Sequence, residues 1–378
     1  MSDHTLITWC DSTVNPVMGC EGCPLWPTPA ALKKALAEEL VNQGVRKDDA
    51  GRLAGEALDG LKATDTYQRR EALALQLEGE ATAMGGRPKG LRRKLQTAIE
   101  RPFSCYAGHL HCNKGENALK PDKDVNRGYA PTFEQVTCFP GRVAEMARKA
   151  DLSGQPRLAR TARTKSGKVK TVPGKPWLDG LPRLVFVSDM GDALSSCVDF
   201  GYLKSEIIDA VSSPKGARHI WLWVTKRPAR MAAFGKWLAD EHGLGWPDNL
   251  VAMTSVIDRR MARAVDHLRG VPAKVRGLSV EPLLEAVDID LAGIDWLIVG
   301  GESGKHARPF DLAWARDLRD RCRGSGVACF VKQLGRRPAD NGVALKLRDG
   351  HGGDWDEWPD DLRVREIPAA FGQMGVLP

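Results

Sequence analysis

Three cysteines are the residues whose types and spacing most clearly indicate chemistry. Cys20 and Cys23 form a C-x-x-C pair, and Cys105 follows after an intervening segment, residues 24–104. Three thiolates can hold a 4Fe–4S cluster and leave one iron open. That iron can chelate the amino and carboxylate groups of S-adenosylmethionine, whose reductive cleavage gives a carbon radical.

A structural zinc site is the alternative interpretation of the same cysteines. His109 and Cys112 lie close behind Cys105, and either could complete a tetrahedral set with Cys20 and Cys23. Structural zinc is commonly held by such Cys and His pairs, so the spacing alone favours zinc.

Polar or charged residues follow nearly every short apolar run in the sequence. If these runs are parallel strands of a barrel, the residues gather at the carboxyl ends of the strands, where barrel enzymes carry their chemistry. Any single one could be a helix cap. The set together predicts a polar pocket whose mixed charges suit a zwitterionic or phosphorylated ligand. The candidate catalytic residues are Asp189, Lys226, Glu281 and Glu302.

A glycine turn with the sequence Gly-Gly-Glu-Ser-Gly occupies residues 300–304. Glycine lets backbone amides approach a ligand closely, although a tight strand-to-helix turn also needs glycine. The turn and a polar residue after the first apolar run give the candidate cofactor-binding residues. These are Asn15, Gly300, Gly301 and Glu302.

Short apolar runs alternate with amphipathic stretches of helical length over most of the chain. Apolar strands are typical of parallel sheets covered on both faces, and strand–helix alternation indicates βαβ units. The sequence therefore predicts an α/β fold, namely a TIM-like (β/α)8 barrel of regular or irregular form. The predicted strands are residues 6–10, 135–139, 183–188, 219–225, 250–254, 275–280, 296–299 and 328–332.

The composition also predicts how the chain is divided. Residues 28–100 are rich in helix formers and poor in β-branched residues, so they are interpreted as a helical insertion after strand 1. Helices are predicted there at residues 30–42 and 66–84. The barrel with the cysteine motif then comprises residues 1–27 and 101–337, with a basic loop at 151–176. Residues 338–378 are predicted to form an irregular C-terminal tail.

The net charge of +7 is concentrated in residues 157–175, which contain seven basic residues and no acidic one. The segment is also rich in Gly, Pro, Ser and Thr, so it is predicted to be a loop or disordered arm. Contact with nucleic acid and a solvated surface loop are both open readings. Residues 87–94, from Arg87 to Lys94, are a second basic stretch with the same possible partner. The seven basic residues are Arg157, Arg160, Arg163, Lys165, Lys168, Lys170 and Lys175.

Composition excludes several classes of protein. With 42% hydrophobic and 27% charged residues, the chain is neither fibrous nor wholly disordered. It has no run of 18 apolar residues for a transmembrane helix and no visible signal peptide, so a cytoplasmic protein with reduced thiols is expected.

A set of motifs runs through most of the chain. They are residues 7–20 (ITWCDSTVNPVMGC), 105–107 (CYA), 185–192 (VFVSDMGD), 225–228 (TKRP), 278–284 (LSVEPLL), 299–304 (VGGESG), 331–333 (VKQ) and 353–359 (GDWDEWP). With these motifs the sequence resembles the phage-associated three-cysteine-motif proteins. That family has unknown activity and is similar to radical S-adenosylmethionine enzymes.

The resemblance implies that Cys20, Cys23 and Cys105 hold an iron–sulfur cluster rather than zinc. The chain departs from the family pattern in two ways: its cysteine loop is split, and its Gly-Gly-Glu follows the seventh predicted strand instead of the second. A methionine-binding role for Glu302 is therefore not transferred from the family.

Three functions follow as hypotheses. The first is a phage-type radical enzyme that modifies a nucleic acid or nucleotide. The second is a zinc-stabilised barrel that acts on a base or nucleotide without radicals, with Asp189 or Glu281 as nucleophile or general base. The third is a non-catalytic nucleic-acid-binding partner of a phage-encoded protein.

Overall fold

The computed structural model describes residues 7–22, 29–59, 67–86, 135–163, 169–304 and 307–374, together with residues 5, 105, 107, 108, 129–131 and 133. The chain divides into two compact units. One comprises Met1–Val17 and Cys138–Pro378, and the other is Met18–Thr137.

The regular structure described in the unit Met18–Thr137 is mainly helical. Leu32, Leu36 and Leu40 of the first helix are buried, and their spacing of four places them on one helix face. The predicted helices at 30–42 and 66–84 agree with the structure to within one residue. A helix between them was not predicted, because two glycines weaken its helical pattern. The helices are α1 (Pro29–Asn42), α2 (Lys47–Asp59) and α3 (Tyr67–Ala83).

A curled sheet of seven parallel strands forms a half-barrel in the other unit, and helices flank it. The strands lie side by side in chain order, as repeated βαβ connections require. An α/β fold with a parallel sheet is thus confirmed. Six of the predicted strands match to within one residue at each end. In order across the sheet, the strands are β1 (Ser12–Val14), β6 (Leu184–Val187), β7 (Ile220–Thr225), β8 (Leu250–Ser255), β9 (Arg276–Val280), β10 (Trp296–Gly300) and β12 (Ala328–Gln333).

Helices connect and cover these strands. One of them is a composite helix, in which a π-helical turn at Lys204–Ile208 joins two short α-helical pieces. No helix in the described ranges is long and apolar enough to cross a membrane. The helices are α4 (Arg142–Ala147), α5 (Phe200–Leu203), α6 (Asp209–Ser212), α7 (Pro228–His242), α8 (Ala264–Arg269) and α9 (Leu312–Ser325). Short strands outside the main sheet are β2 (Val17–Met18), β3 (Thr137–Cys138), β4 (Arg160–Arg163), β5 (Val169–Val172), β11 (Phe310–Asp311), β13 (Pro338–Asp340) and β14 (Val343–Ala344).

Two predicted strands differ from the structure, and the described residues do not close an eight-stranded barrel. The first strand is Ser12–Val14 rather than 6–10, because Trp9 and Cys10 belong to the buried core inside the curled sheet. The run at 135–139 contributes only Thr137–Cys138, which lies outside the seven-stranded sheet.

The C-terminal segment covers the free edge of β12. Val331 N donates to Val364 O at 2.8 Å, and Glu366 N donates to Cys329 O at 2.8 Å. This pairing satisfies edge groups that would otherwise be open to another strand. It also occupies the edge that a closed barrel would join to β1.

Aromatic residues fill the inside of the half-barrel towards the amino ends of the strands. Trp9 and Trp296 pack edge to face with ring centroids 6.2 Å apart, and Trp296 packs on Phe371 at 5.4 Å. All three side chains are buried, and such packing contributes strongly to the core. The polar residues predicted for the site lie instead at the carboxyl ends of the strands.

Candidate functional site

Asn15 and Asp189 meet at the carboxyl ends of β1 and β6. Asn15 Nδ2 donates to Asp189 Oδ1 at 2.6 Å, and Asn15 Oδ1 accepts from Met190 N at 2.8 Å. Burial raises the pKa of Asp189, and the hydrogen bond from Asn15 opposes this rise only in part. The site therefore contains an oriented carboxyl group whose protonation is shifted towards neutral pH, which suits general acid or base chemistry.

Replacing this carboxyl group should stabilise the protein at neutral pH. Because the folded-state pKa of Asp189 is raised, stability falls as pH rises through the interval between the unfolded and folded pKa values. Asp189→Asn removes that loss and keeps an acceptor for Asn15. Urea unfolding should show the variant more stable at pH 7, with the difference shrinking below about pH 4. A difference that is constant with pH would contradict the assigned burial effect.

Glu281 and Lys332 form an ion pair above β10, which lies between their own strands. Lys332 Nζ is 3.0 Å from Glu281 Oε1, and the side chains are only 22% and 11% exposed. Glu281 Oε1 is buried, and no described residue gives it a hydrogen bond of good geometry. A Cβ on Gly300 would lie 2.7 Å from this oxygen. Glycine at position 300 thus leaves room for the Glu281 carboxylate in the position that it occupies.

The next two residues of the glycine turn, Gly301 and Glu302, form hydrogen bonds with other residues of the protein. Gly301 exchanges hydrogen bonds with Gln333, and a Cβ on Gly301 would overlap the Leu334 carbonyl oxygen. The Glu302 carboxylate accepts three hydrogen bonds from Arg308, at 2.7–2.9 Å. Internal packing and charge pairing account for Gly301 and Glu302, so their cofactor-binding role stays a prediction.

Asp192 links the carboxyl ends of β6 and β7 through hydrogen bonds. It was not among the candidate residues predicted from the sequence. Its carboxylate accepts from Thr225 Oγ1 at 2.8 Å, from Lys226 N at 3.0 Å and from Arg227 Nη1 at 2.9 Å. Asp192 is only 5% exposed. The sequence does contain a signal for this residue. Asp192 is a second aspartate, three residues after Asp189, in the polar stretch that follows the same predicted strand.

Asp192 thereby fixes the backbone at Lys226. In β7, Ile220, Leu222 and Val224 belong to the core inside the curled sheet. Lys226 continues this alternation, so its position lies on the inner side at the carboxyl end of the sheet. Asn15, Asp189, Lys226, Glu281 and Lys332 make up the candidate site.

Ser188 lies between β6 and Asp189 in a strained conformation. Its φ angle is 72°, in the left-handed region that residues other than glycine rarely adopt. Its hydroxyl is buried and has no hydrogen-bond partner among the described residues. Such strain is concentrated at functional sites in proteins, which supports this end of the sheet as the site.

The predicted metal ligands belong to the helical unit. Cys20 is buried and Cys105 is partly exposed, whereas Cys23, His109 and Cys112 lie outside the described residues. Within the described ranges, no group of three His, Cys, Asp or Glu residues could hold a metal. The thiolate set is chemically suited to either iron–sulfur or zinc, and its assembly stays a prediction.

The basic segment at 157–175 differs from its prediction. β4 and β5 pair as an antiparallel hairpin within it, so its described residues do not form the expected loop. Its two ends are buried, and neither end residue is available to phosphates. Arg157 pairs with Asp11, and the Lys175 ammonium donates to the carbonyls of Thr5, Ile7 and Cys10. The other basic stretch, 87–94, lies outside the described residues.

Comparison with known proteins places part of this chain in a family. Residues 111–359 match a family model described as a protein of unknown function, DUF5131. The chain belongs to this family. The matched range contains Asp189, Asp192, Lys226 and Glu281 and begins after Cys105. No curated protein and no solved structure shows significant similarity to the chain.

Proposed function

We propose that this DUF5131 protein is a phage-type iron–sulfur enzyme that uses S-adenosylmethionine to modify a nucleic acid or nucleotide. The ion pair between Glu281 and Lys332 carries the proposal. A largely buried ion pair contributes little to stability unless further hydrogen bonds satisfy it, so its position at the carboxyl end of a parallel sheet points to ligand binding.

The charges of the site complement a zwitterion. The Glu281 carboxylate can accept from an ammonium group, and the Lys332 and Lys226 ammonium groups can bind a carboxylate or phosphate. Gly300 leaves the space in which the Glu281 carboxylate lies. Asp189, held by Asn15, can accept or return a proton at a bound substrate.

The cluster ligands in this proposal are Cys20, Cys23 and Cys105, as the family resemblance implies. The described pair, Cys20 and Cys105, belongs to one compact unit, and thiolates are the donors that iron–sulfur clusters prefer. Bound there, the cluster would supply an electron for the cleavage of S-adenosylmethionine.

The test begins with anaerobic purification of the full chain. The protein should be brown, should absorb near 400 nm, and should lose iron when Cys20, Cys23 and Cys105 are each replaced by Ser. Calorimetry should detect S-adenosylmethionine binding that is weakened at least about tenfold by Glu281→Gln, in line with the loss of a charge-assisted hydrogen bond. Gly300→Ala should weaken it similarly by displacing the same carboxylate. Lys236→Gln, an exposed charge change on α7, is the matched control.

A colourless protein with about one zinc per chain would overturn the iron–sulfur proposal. The raised pKa of Asp189 then favours the second function, a zinc-stabilised barrel that acts on a base or nucleotide by general acid–base chemistry. In that case Asp189→Asn should abolish turnover while zinc content stays unchanged.

A further inference from the structure

The hairpin of β4 and β5 is a two-stranded ribbon held firmly at its base. Arg160 pairs with Val172, and Arg163 pairs with Val169. At the base, Arg157 N donates to Asp179 Oδ1 and Lys175 N donates to Arg157 O at 2.8 Å. The buried side chains of Arg157 and Lys175 attach this base to the remainder of the unit.

The strands of the ribbon carry only positive charge, and most of the side chains described on them are exposed. Arg160, Thr161, Val169 and Thr171 are exposed, and Val169 is 54% exposed despite being apolar. The strands contain Arg160, Arg163 and Lys170 and no acidic residue. A two-stranded ribbon with basic residues and an exposed apolar side chain is a surface for a polyanion that also offers an apolar contact.

We propose that this ribbon binds duplex DNA in the major groove. The major groove of B-form DNA is about 12 Å wide and admits a two-stranded β-ribbon. The major groove of A-form RNA is too narrow for side chains to enter. Basic residues on the strands would contact phosphates on the groove walls, and Val169 would offer an apolar contact such as a thymine methyl group accepts.

The ribbon is attached at the end of the sheet opposite the candidate site. Arg157 donates to Asp11, Leu181 O and Pro182 O, which precede β1 and β6, whereas Asp189 and Glu281 follow β6 and β9. The ribbon thus anchors DNA at a contact separate from the site. The inference rests on the nucleic-acid part of the proposed function and is independent of its radical chemistry.

Fluorescence anisotropy with the full chain tests the proposal on a labelled DNA duplex, its single strand and the matching RNA duplex, over a salt series. Duplex DNA should bind most tightly. In the triple variant Arg160→Gln, Arg163→Gln and Lys170→Gln, the slope of log K against log salt should flatten by up to about 2.7, or about 0.9 for each phosphate. Over a fourfold rise in salt, the wild type would then lose up to about 40-fold more affinity than the variant.

Two controls accompany the triple variant. Lys34→Gln, Lys236→Gln and Lys274→Gln remove the same charge from exposed sites elsewhere and should leave the slope unchanged. A second triple variant, Arg160→Lys, Arg163→Lys and Lys170→Arg, keeps the charge. It should retain most of the wild-type salt slope. Circular dichroism and melting temperature should match the wild type in every variant, because Arg160 and the three control lysines are exposed and every substitution keeps a long polar side chain.

Equal DNA affinity and salt slope in the wild type and the Gln triple variant would overturn the proposal. Equal or tighter binding of the single strand or the RNA duplex would overturn the major-groove assignment. S-adenosylmethionine binding, measured on the same variant, should be unchanged. If S-adenosylmethionine fails to bind the wild type while the ribbon effect persists, the proposed enzyme function fails and the DNA anchor stands.

Discussion

Arg157→Ala should lower the free energy of unfolding by about 3–5 kcal/mol, the usual loss when one partner of a buried ion pair is removed. Arg157 and Asp11 are 7% and 6% exposed, and the guanidinium also donates to four backbone carbonyls. Removing it leaves a buried carboxylate whose remaining described partner is Leu184 N, at 2.9 Å. Urea unfolding followed by circular dichroism measures the loss.

The same ribbon provides the control. Arg160 is exposed, so Arg160→Ala should change stability by no more than about 0.5 kcal/mol. A double-mutant cycle with Asp11→Asn should give a coupling energy of about 0.5–3 kcal/mol between Arg157 and Asp11. Similar small losses for Arg157→Ala and Arg160→Ala would mean that Arg157 is solvated, as the sequence alone suggested.

The error about the basic segment has a physical origin. Composition reports the charge of a side chain and not its burial, and basic residues are mostly exposed. Arg157 and Lys175 are exceptions because backbone carbonyls surround them. Such carbonyls come from distant positions, such as Leu181 for Arg157 and Ile7 for Lys175. The periodicity of apolar residues in the sequence does not indicate which distant carbonyl groups will contact a basic side chain.

Strand prediction succeeded where apolar side chains alone define the strand. β6, β7 and β10 are apolar almost throughout because both faces of the sheet are covered. β1 failed because Ser12 and Thr13 are polar, although both are buried between the sheet and its surroundings. The neighbouring apolar pair, Trp9 and Cys10, gave the stronger signal but fills the inside of the sheet.

The candidate site was predicted in outline by one topological rule. Parallel strands bring their carboxyl ends together, which placed Asp189, Lys226 and Glu281 at one end of the sheet. The rule does not specify partners, and so it could not distinguish Glu302, which is bound by Arg308, from Glu281. It also missed Lys332 as the partner of Glu281, since Lys332 ends the last predicted strand and the rule does not say which strand ends pair with each other.

Asp192→Ala should cost about 3–5 kcal/mol and should also weaken ligand binding at the candidate site. The substitution removes a buried carboxylate that accepts from Thr225, Lys226 and Arg227. The Arg227 guanidinium, whose side chain is 19% exposed, then lacks this partner. Because Lys226 N is one of these donors, the backbone that presents Lys226 should shift as well. Chemical denaturation measures the first effect, and calorimetry with S-adenosylmethionine measures the second.

Asp199→Ala is the matched control, because Asp199 lies in the same connection but caps α5 at an exposed position. Loss of such a cap costs about 0.5–2 kcal/mol and should leave ligand affinity unchanged. Asp192→Asn keeps the shape of the side chain and removes its charge, so its stability should fall between the wild type and Asp192→Ala. If Asp192→Ala were no more harmful than Asp199→Ala in either measurement, Asp192 would be one more helix-capping residue and not the link between β6 and β7.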